Sequence, residues 1–113
     1  MTDVDWMGRR KIRSIDLARL SGLKRVLMEL EPGRKVVLST HLNADGDGAG
    51  SQAAAAHWLA RRGLKPTIVN PTPFPDQFRF LLAEGTGAWT PADAEGEAAM
   101  READVFLVLD TAE

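Results

Sequence analysis

One histidine and two aspartates stand within seven residues of one another, near the middle of the chain. His41, Asp45 and Asp47 belong to the segment His-Leu-Asn-Ala-Asp-Gly-Asp-Gly at positions 41–48. Imidazole and carboxylate groups bind divalent cations such as Mn²⁺ and Mg²⁺. Cations held in this way activate water and stabilise negative charge on a phosphoryl group. The spacing therefore predicts a metal site suited to phosphoester chemistry.

The elements around this segment are typical of an α/β fold. An apolar β-type run at 35–40 precedes it, and an alanine-rich helix is predicted to follow at 48–62. Further strands are predicted at 66–70 and at 105–109, and the continuous apolar run of the last one suggests burial on both faces. Three more helices are predicted at 14–30, 76–82 and 91–103, the last with Thr90 as N-cap and Pro91 at its first position. This order predicts a parallel sheet with flanking helices.

The first of these helices has a clear amphipathic pattern. Leu20, Leu23, Leu27 and Leu30 fall on one face at three- and four-residue spacing. The proline–glycine pair that follows ends the helix before the first strand.

A further aspartate, Asp110, follows the last predicted strand. The carboxyl ends of parallel strands lie at one edge of a sheet, where ligands usually bind in α/β proteins. Asp110 can therefore meet the residues after the first strand if the first and last strands are neighbours. It would complete a four-ligand set with His41, Asp45 and Asp47. Three carboxylates and one imidazole favour Mn²⁺ or Mg²⁺ over a structural Zn²⁺.

A simpler interpretation of the same segment stays open. Aspartate–glycine pairs are common in turns, and Asp45 or Asp47 could serve only as the N-cap of the following helix. His41 would then be a surface residue of a loop. An acidic residue directly after an apolar strand, as at Asp110, favours the metal site instead.

Composition narrows the protein class. The chain has 113 residues, 44% of them hydrophobic, and no cysteine, which excludes disulfides and thiolate metal sites. It contains no apolar run of the ~20 residues that a membrane-spanning helix needs, and its first residues do not resemble a secretory signal. We therefore expect a cytoplasmic protein with no membrane partner. Residues 1–13 form a basic N-terminal extension, and residues 1–35 hold nine Lys and Arg against five Asp and Glu.

Three segments resemble a known family. Residues 37–51 resemble the first motif of the DHH phosphoesterases, and most closely that of the nanoRNase/pAp phosphatase (bifunctional oligoribonuclease) branch. That motif is His-x-x-x-Asp-x-Asp followed by a helix of small residues. Residues 74–81 resemble the proline-then-aromatic segment of the same branch, and residues 108–111 resemble the second motif, an aspartate that ends a strand.

The resemblance implies a fold, a metal and a reaction. It implies a Rossmann-like DHH domain in which His41 and Asp45 bind one Mn²⁺, Asp47 binds a second, and Asp110 bridges both, with Mg²⁺ as a substitute. Asp47 and Asp110 would be the catalytic carboxylates. A metal-bound hydroxide would then hydrolyse short oligoribonucleotides, 3′-phosphoadenosine 5′-phosphate, or both.

The resemblance covers only part of such a protein. Residues 14–113 correspond to a partial DHH domain, without the Asp-His-His motif and the C-terminal substrate domain of the family. The implied hydrolase activity is therefore left open, and we expect little or no turnover from these 113 residues alone. Two alternatives are a non-catalytic α/β module that binds a metal or a nucleotide, and a cyclic-dinucleotide phosphodiesterase of the same family. The expected partners are short RNA or nucleotide phosphates, with a second copy of the chain as a further candidate.

Overall fold

A computed structural model describes residues 17–111, which form a four-stranded parallel sheet with flanking helices. The predicted α/β class is therefore confirmed, while the predicted extension 1–13 and the start of the first helix lie outside the described residues. The helices are α1 (Leu17–Glu29), α2 (Gly46–Arg61) and α3 (Ala94–Glu102), with a 3₁₀ helix at Asp76–Leu81. The strands are β1 (Lys35–Ser39), β2 (Lys65–Val69), β3 (Ala88–Trp89) and β4 (Val105–Val108).

The strand order is β3-β2-β1-β4, so β1 and β4 are neighbours. In the register of the sheet, Val37 of β1 lies between Thr67 of β2 and Phe106 of β4. The chain moves outward from β1 to β2 and β3, and then returns through α3 to the opposite edge. The direction of winding therefore reverses between β1 and β4, and such a switch point is the usual ligand site of an open α/β sheet.

The core lies between the sheet and α2. Val36 and Leu38 of β1 are buried on this side and belong to one cluster with Ala56 and Leu59 of α2. Alternate residues of a strand point to opposite faces, so Val37 points to the other face, on which α3 packs. The alanines of α2 let this helix lie close to the strands.

The last strand differs from its prediction. β4 lies at the edge of the sheet, and its burial alternates instead of being continuous. Val105 and Leu107 pack against the core, while Phe106 and Val108 are 56% and 58% exposed. The expectation of burial on both faces is therefore wrong. A continuous apolar run does not distinguish a central strand from an edge strand that has one uncovered face.

The segment between the 3₁₀ helix and β4 also differs from its prediction. α3 begins at Ala94 with Asp93 as its N-cap, not at Pro91 with Thr90 as cap. The Asp93 carboxylate accepts a hydrogen bond from the Thr90 backbone N–H (2.8 Å), and the Asp93 N–H donates to the Thr90 carbonyl (3.0 Å). This turn satisfies the backbone before the helix starts. β3 was not predicted, because two residues are too few to show a strand pattern.

Helix α1 has the predicted amphipathic pattern but buries none of its own residues. Leu20, Leu23 and Leu27 are 37%, 48% and 46% exposed, and only Leu30, just after the helix, is buried. Within residues 17–111, no helix combines the length and the apolar character needed to cross a bilayer.

Candidate metal centre

The site lies where the carboxyl ends of β1 and β4 meet the start of α2. Thr40, directly after β1, is buried, and its hydroxyl donates a 2.8 Å hydrogen bond to the Leu109 carbonyl beyond β4. Gly48 in the first turn of α2 lies against this contact, and a Cβ there would stand 3.1 Å from Thr40 Oγ1 and 3.5 Å from Asp110 Oδ2. A residue without a side chain thus allows the helix to approach both strand ends.

Three of the four predicted ligands come together at this point. His41 Nε2 lies 3.6 Å from Asp45 Oδ1 and 3.5 Å from Asp110 Oδ2. One donor atom from each of the three residues lies within 4.8 Å of the other two. Because β1 and β4 are neighbours, Asp110 lies beside His41 although the two residues are 69 positions apart in sequence. This contact was predicted from the shared edge at which parallel strands end.

Asp47, the fourth predicted ligand, occupies a different position. It lies exposed in the first turn of α2 and lines the same open cleft, of about 520 Å³, as the other three and Thr111. Its carboxylate is not among the three donors that lie within 4.8 Å of one another. Asp47 therefore lines the cleft without joining the three-donor cluster. Its role as a ligand of a second ion, which the resemblance implies, stays a prediction.

Asp45 has a structural contact besides its place in the cluster. It is the N-cap of α2, with extended backbone, and its Oδ1 accepts a 2.9 Å hydrogen bond from the Gly48 N–H. The simpler interpretation of the sequence is therefore right about this cap. The cap does not exclude metal binding, because a carboxylate has lone pairs to spare on both oxygens. It fixes the carboxylate in an orientation that faces His41.

The ring of His41 is oriented by its neighbour in sequence. Its Nδ1 lies 2.8 Å from the Leu42 carbonyl oxygen, which can only accept, so Nδ1 carries the proton. In the neutral ring, Nε2 then presents a lone pair to Asp45 and Asp110. That arrangement is repulsive unless a proton or a cation lies between the three groups. A backbone carbonyl that orients a histidine in this way is the common arrangement behind metal-binding imidazoles.

The same contacts shift two pKa values. The pKa of His41 is raised, mainly by the hydrogen bond to the Leu42 carbonyl and further by the charges of Asp45 and Asp110. The pKa of Asp45 is lowered, mainly by the hydrogen bond from the Gly48 N–H and further by the charge of His41. Without a metal, the site therefore favours a protonated imidazole facing an ionised Asp45 carboxylate.

We expect Mn²⁺ binding to release a proton from His41 at pH values below its raised pKa, where the imidazole is still protonated. Because the pKa is raised, affinity should increase as the pH rises through it and then level off. Calorimetry in buffers with different heats of ionisation measures the released proton. The chain carries a second histidine, His57, outside the cleft, so His41→Gln should abolish the release and His57→Gln should not. Release that persists in His41→Gln would assign the proton elsewhere.

Two residues of the site have unusual backbone conformations. Asn43 and Asp110 have φ angles of 51° and 53°, in the left-handed region that few residues other than glycine adopt. Asn43 is held there by a 2.8 Å hydrogen bond from its N–H to Thr72 Oγ1. Asparagine and aspartate tolerate this conformation best, and such residues concentrate at functional sites. At Asp110 the conformation turns the chain at the point where the carboxylate meets His41.

A buried pair of amide side chains joins α2 to the residue that follows β2. Gln52 of α2 and Asn70 after β2 are fully buried and exchange two hydrogen bonds, of 2.6 and 3.0 Å. Neither Gln52 nor Thr40 at the strand end is predicted from the sequence as part of the site. Gln52 could have been noticed in the sequence as the one amide among the alanines of α2. A polar residue at a core position normally has a polar partner, so it would have indicated a buried hydrogen bond.

Asn70→Ala should lower the free energy of unfolding by about 2 kcal/mol, because it leaves the Gln52 amide buried without a partner. Chemical denaturation measures this change. The double variant Gln52→Met/Asn70→Val removes both polar groups with only a modest change in volume, so it should be less destabilised than Asn70→Ala. Equal losses in the two proteins would show that packing, not the hydrogen bonds, stabilises this contact.

The donor set fits a hard divalent cation. His41 Nε2 lies 3.6 Å from one oxygen of Asp45 and 3.5 Å from one oxygen of Asp110. This is the spacing of neighbouring ligands around one ion with bonds of about 2.1–2.3 Å. At pH values above the pKa of His41, where no proton lies between the three groups, the lone-pair repulsion described above gives such an ion an electrostatic reason to bind. The carboxylates suit Mn²⁺ and Mg²⁺ better than softer ions.

Comparisons of the chain with protein-family models, with curated proteins and with solved structures found no match. The family resemblance therefore rests on the motif residues, and the site on its geometry.

Proposed function

We propose that this chain is the first metal-binding part of a Mn²⁺-dependent phosphoesterase of the DHH family. The observation that supports it best is the meeting of His41, Asp45 and Asp110 at the switch point of a parallel sheet. Both the residue types and the place in the fold are those that a hydrolytic metal centre needs. We further propose that the chain folds as part of a Rossmann-like DHH domain and that the protein is cytoplasmic.

In this proposal each residue has a defined part. His41 and Asp45 would hold one Mn²⁺, Asp47 would bind a second from the first turn of α2, and Asp110 would contribute its carboxylate to both. Bound Mn²⁺ would supply a Lewis acid that lowers the pKa of water and stabilises charge on phosphoryl oxygens. The Leu42 carbonyl orients His41 and the Gly48 N–H orients Asp45, so that little reorganisation is needed when the substrate arrives.

The charge of the cleft supports an anionic substrate only when the cations are bound. Three carboxylates and one imidazole line it, and without cations they would repel a phosphate. With cations in place, the positive end of the α2 helix dipole adds a favourable field for phosphoryl oxygens. We propose short oligoribonucleotides and 3′-phosphoadenosine 5′-phosphate as substrates, on the family resemblance of the motif around His41.

The proposal is tested in two steps. Titration of the 113-residue chain with Mn²⁺ should give saturable heat, and the absence of heat would overturn the metal site. Hydrolysis of di- to pentanucleotide RNA should then be assayed with Mn²⁺, for this chain and for the product of the gene extended downstream. We expect little turnover from the 113 residues alone and Mn²⁺-dependent release of mononucleotides from an extended product that carries the remaining motifs.

Other outcomes of the second step select the alternatives. Mn²⁺ binding without hydrolysis by either protein would favour a non-catalytic binding module. Cleavage of cyclic dinucleotides in preference to linear RNA would move the assignment to the phosphodiesterases of the same family. Robust hydrolysis by the 113-residue chain would contradict the expected need for further residues.

A further inference from the structure

The chain that follows β2 contacts the loop that carries two of the predicted metal donors. We call residues 41–45 the donor loop and residues 70–75 the proline segment. Asn70 is buried and bonded to α2, and Phe74 is buried in the core cluster, so the segment is anchored near both of its ends. Prolines stand at positions 71, 73 and 75, and each proline ring fixes one backbone torsion angle. The proline segment therefore has few conformations open to it between the two anchors.

Thr72, in the middle of the proline segment, makes the contact to the donor loop. It is half-buried, and its Oγ1 accepts a 2.8 Å hydrogen bond from the Asn43 N–H. Asn43 has a φ of 51°, in the left-handed region that a residue with a side chain adopts only at some cost. Asn43 is itself exposed, so a bond to a restrained segment helps to keep it in this conformation. Thr72 therefore fixes the backbone of the donor loop at Asn43.

The peptide group that Thr72 holds is the one that orients His41. The N–H of Asn43 and the carbonyl of Leu42 belong to the same peptide group, which is planar and trans. The two groups therefore point in opposite directions from one rigid plane. On one side the N–H donates to Thr72 Oγ1, and on the other the carbonyl accepts a 2.8 Å hydrogen bond from His41 Nδ1. A rotation of the peptide that breaks the first bond also turns the carbonyl away from the imidazole.

We infer that Thr72 is a positioning residue of the metal centre, and that it acts on His41 through this peptide group. The inference rests on the proposed function, because it takes His41 as a metal ligand. Without the Thr72 hydroxyl, the peptide can rotate and His41 Nδ1 loses its fixed acceptor. The imidazole then has its binding orientation in only a fraction of the molecules, and the apparent affinity for Mn²⁺ falls in proportion to that fraction.

Removal of the Thr72 hydroxyl tests the inference by calorimetric titration with Mn²⁺. Thr72→Val keeps the shape of the side chain and should raise the dissociation constant at least about fivefold, the ratio that one typical hydrogen bond gives. Thr72→Ser keeps the hydroxyl and should bind nearly as the unmodified chain does. Thr72→Ala removes the same hydroxyl without requiring space for a branched side chain, and should behave as Thr72→Val does. Thr86→Val, in the loop before β3 and outside the cleft, is the matched control and should leave the affinity unchanged.

A spectroscopic readout follows the His41 ring itself and needs no metal. Above the pKa of His41, the neutral ring of the unmodified chain should carry its proton mainly on Nδ1, because the Leu42 carbonyl accepts it. Thr72→Val should shift the ring toward the tautomer with the proton on Nε2, and Thr72→Ser should not. The NMR shifts of the two ring nitrogens distinguish the tautomers. A small loss of global stability would leave this equilibrium unchanged, and chemical denaturation checks that each variant is folded.

The possible outcomes separate this inference from the proposed function. Equal Mn²⁺ affinities for Thr72→Val and the unmodified chain overturn the inference and leave the proposed function standing. A loss of affinity that Thr72→Ser does not restore also overturns it, because the volume of the side chain and not its hydroxyl would then matter. An unchanged tautomer in Thr72→Val excludes the route through His41. If the unmodified chain gives no heat with Mn²⁺, the proposed function and this inference both fail.

Discussion

Asp110→Asn should weaken Mn²⁺ binding to the chain by about 100-fold or more, since loss of even an outer-shell partner commonly changes metal affinity by 10- to 100-fold. The asparagine keeps the size of the side chain but removes the negative charge that lies 3.5 Å from His41 Nε2. In an active extended protein the same change should lower turnover by about 100-fold or more, because transition-state charge is stabilised by the same ions. Calorimetric titration measures the binding loss. Glu84→Gln, an exposed acid outside the cleft, is the matched control and should bind as the unmodified chain does.

A second readout separates the site from general damage. Asp110 is one of the charges that raise the pKa of His41, after the dominant hydrogen bond to Leu42. In the metal-free chain, Asp110→Asn should therefore lower that pKa toward the ordinary histidine value, which NMR titration of the ring measures. Unchanged Mn²⁺ affinity in this variant would exclude Asp110 as a ligand. An unchanged His41 pKa would contradict the geometry of the cluster.

Gly96→Ala should be the most destabilising single methyl addition, lowering the free energy of unfolding by about 3 kcal/mol, the upper end of the usual range for overpacking. A Cβ at Gly96 would overlap the Thr90 carbonyl and lie 3.1 Å from Trp89 Cβ. The overlapped atom is backbone, in the same turn whose hydrogen bonds with Asp93 start α3. The turn must therefore distort, and β3 with it.

Gly22→Ala provides the matched control, because it adds the same methyl group to a helix with no atom within 4 Å. Alanine is the better helix former by about 1 kcal/mol, so this variant should be equal to or more stable than the parent. Chemical denaturation of both variants gives the comparison. Similar stabilities for the two would mean that the turn before α3 adapts without strain.

The site could be anticipated from sequence because it depends on a rule of topology. The carboxyl ends of parallel strands share one edge, so His41 and Asp110 could be placed together without knowing any side-chain position. The cap at Asp45 is equally local, since aspartate three residues before a helical glycine is a typical N-cap. These features depend on neighbouring residues or on strand order alone.

Other features of the structure depend on how elements distant in sequence pack together, and local sequence patterns do not encode that packing. The exposure of Phe106 follows from the packing of α3 mainly on β1, β2 and β3 instead of on β4, not from its own neighbours in the chain. The Gln52–Asn70 pair requires the axial position of α2 over β2. Asp93 instead of Thr90 stands at the N-cap position of α3 because its carboxylate bonds back to the Thr90 N–H, which closes a turn at 90–93 before the helix begins.

The hydrogen bond from Thr40 to the Leu109 carbonyl has a consequence for folding kinetics. It joins residues 69 positions apart, and the pairing of β1 with β4 closes the longest loop of the sheet. Contacts of high sequence separation carry the largest loop-closure entropy and tend to form late. The predicted metal donors are divided between the two sides of this pairing, so a metal centre built from them would be complete only in chains that have finished folding. Added Mn²⁺ would therefore slow unfolding more than it speeds the early steps of folding.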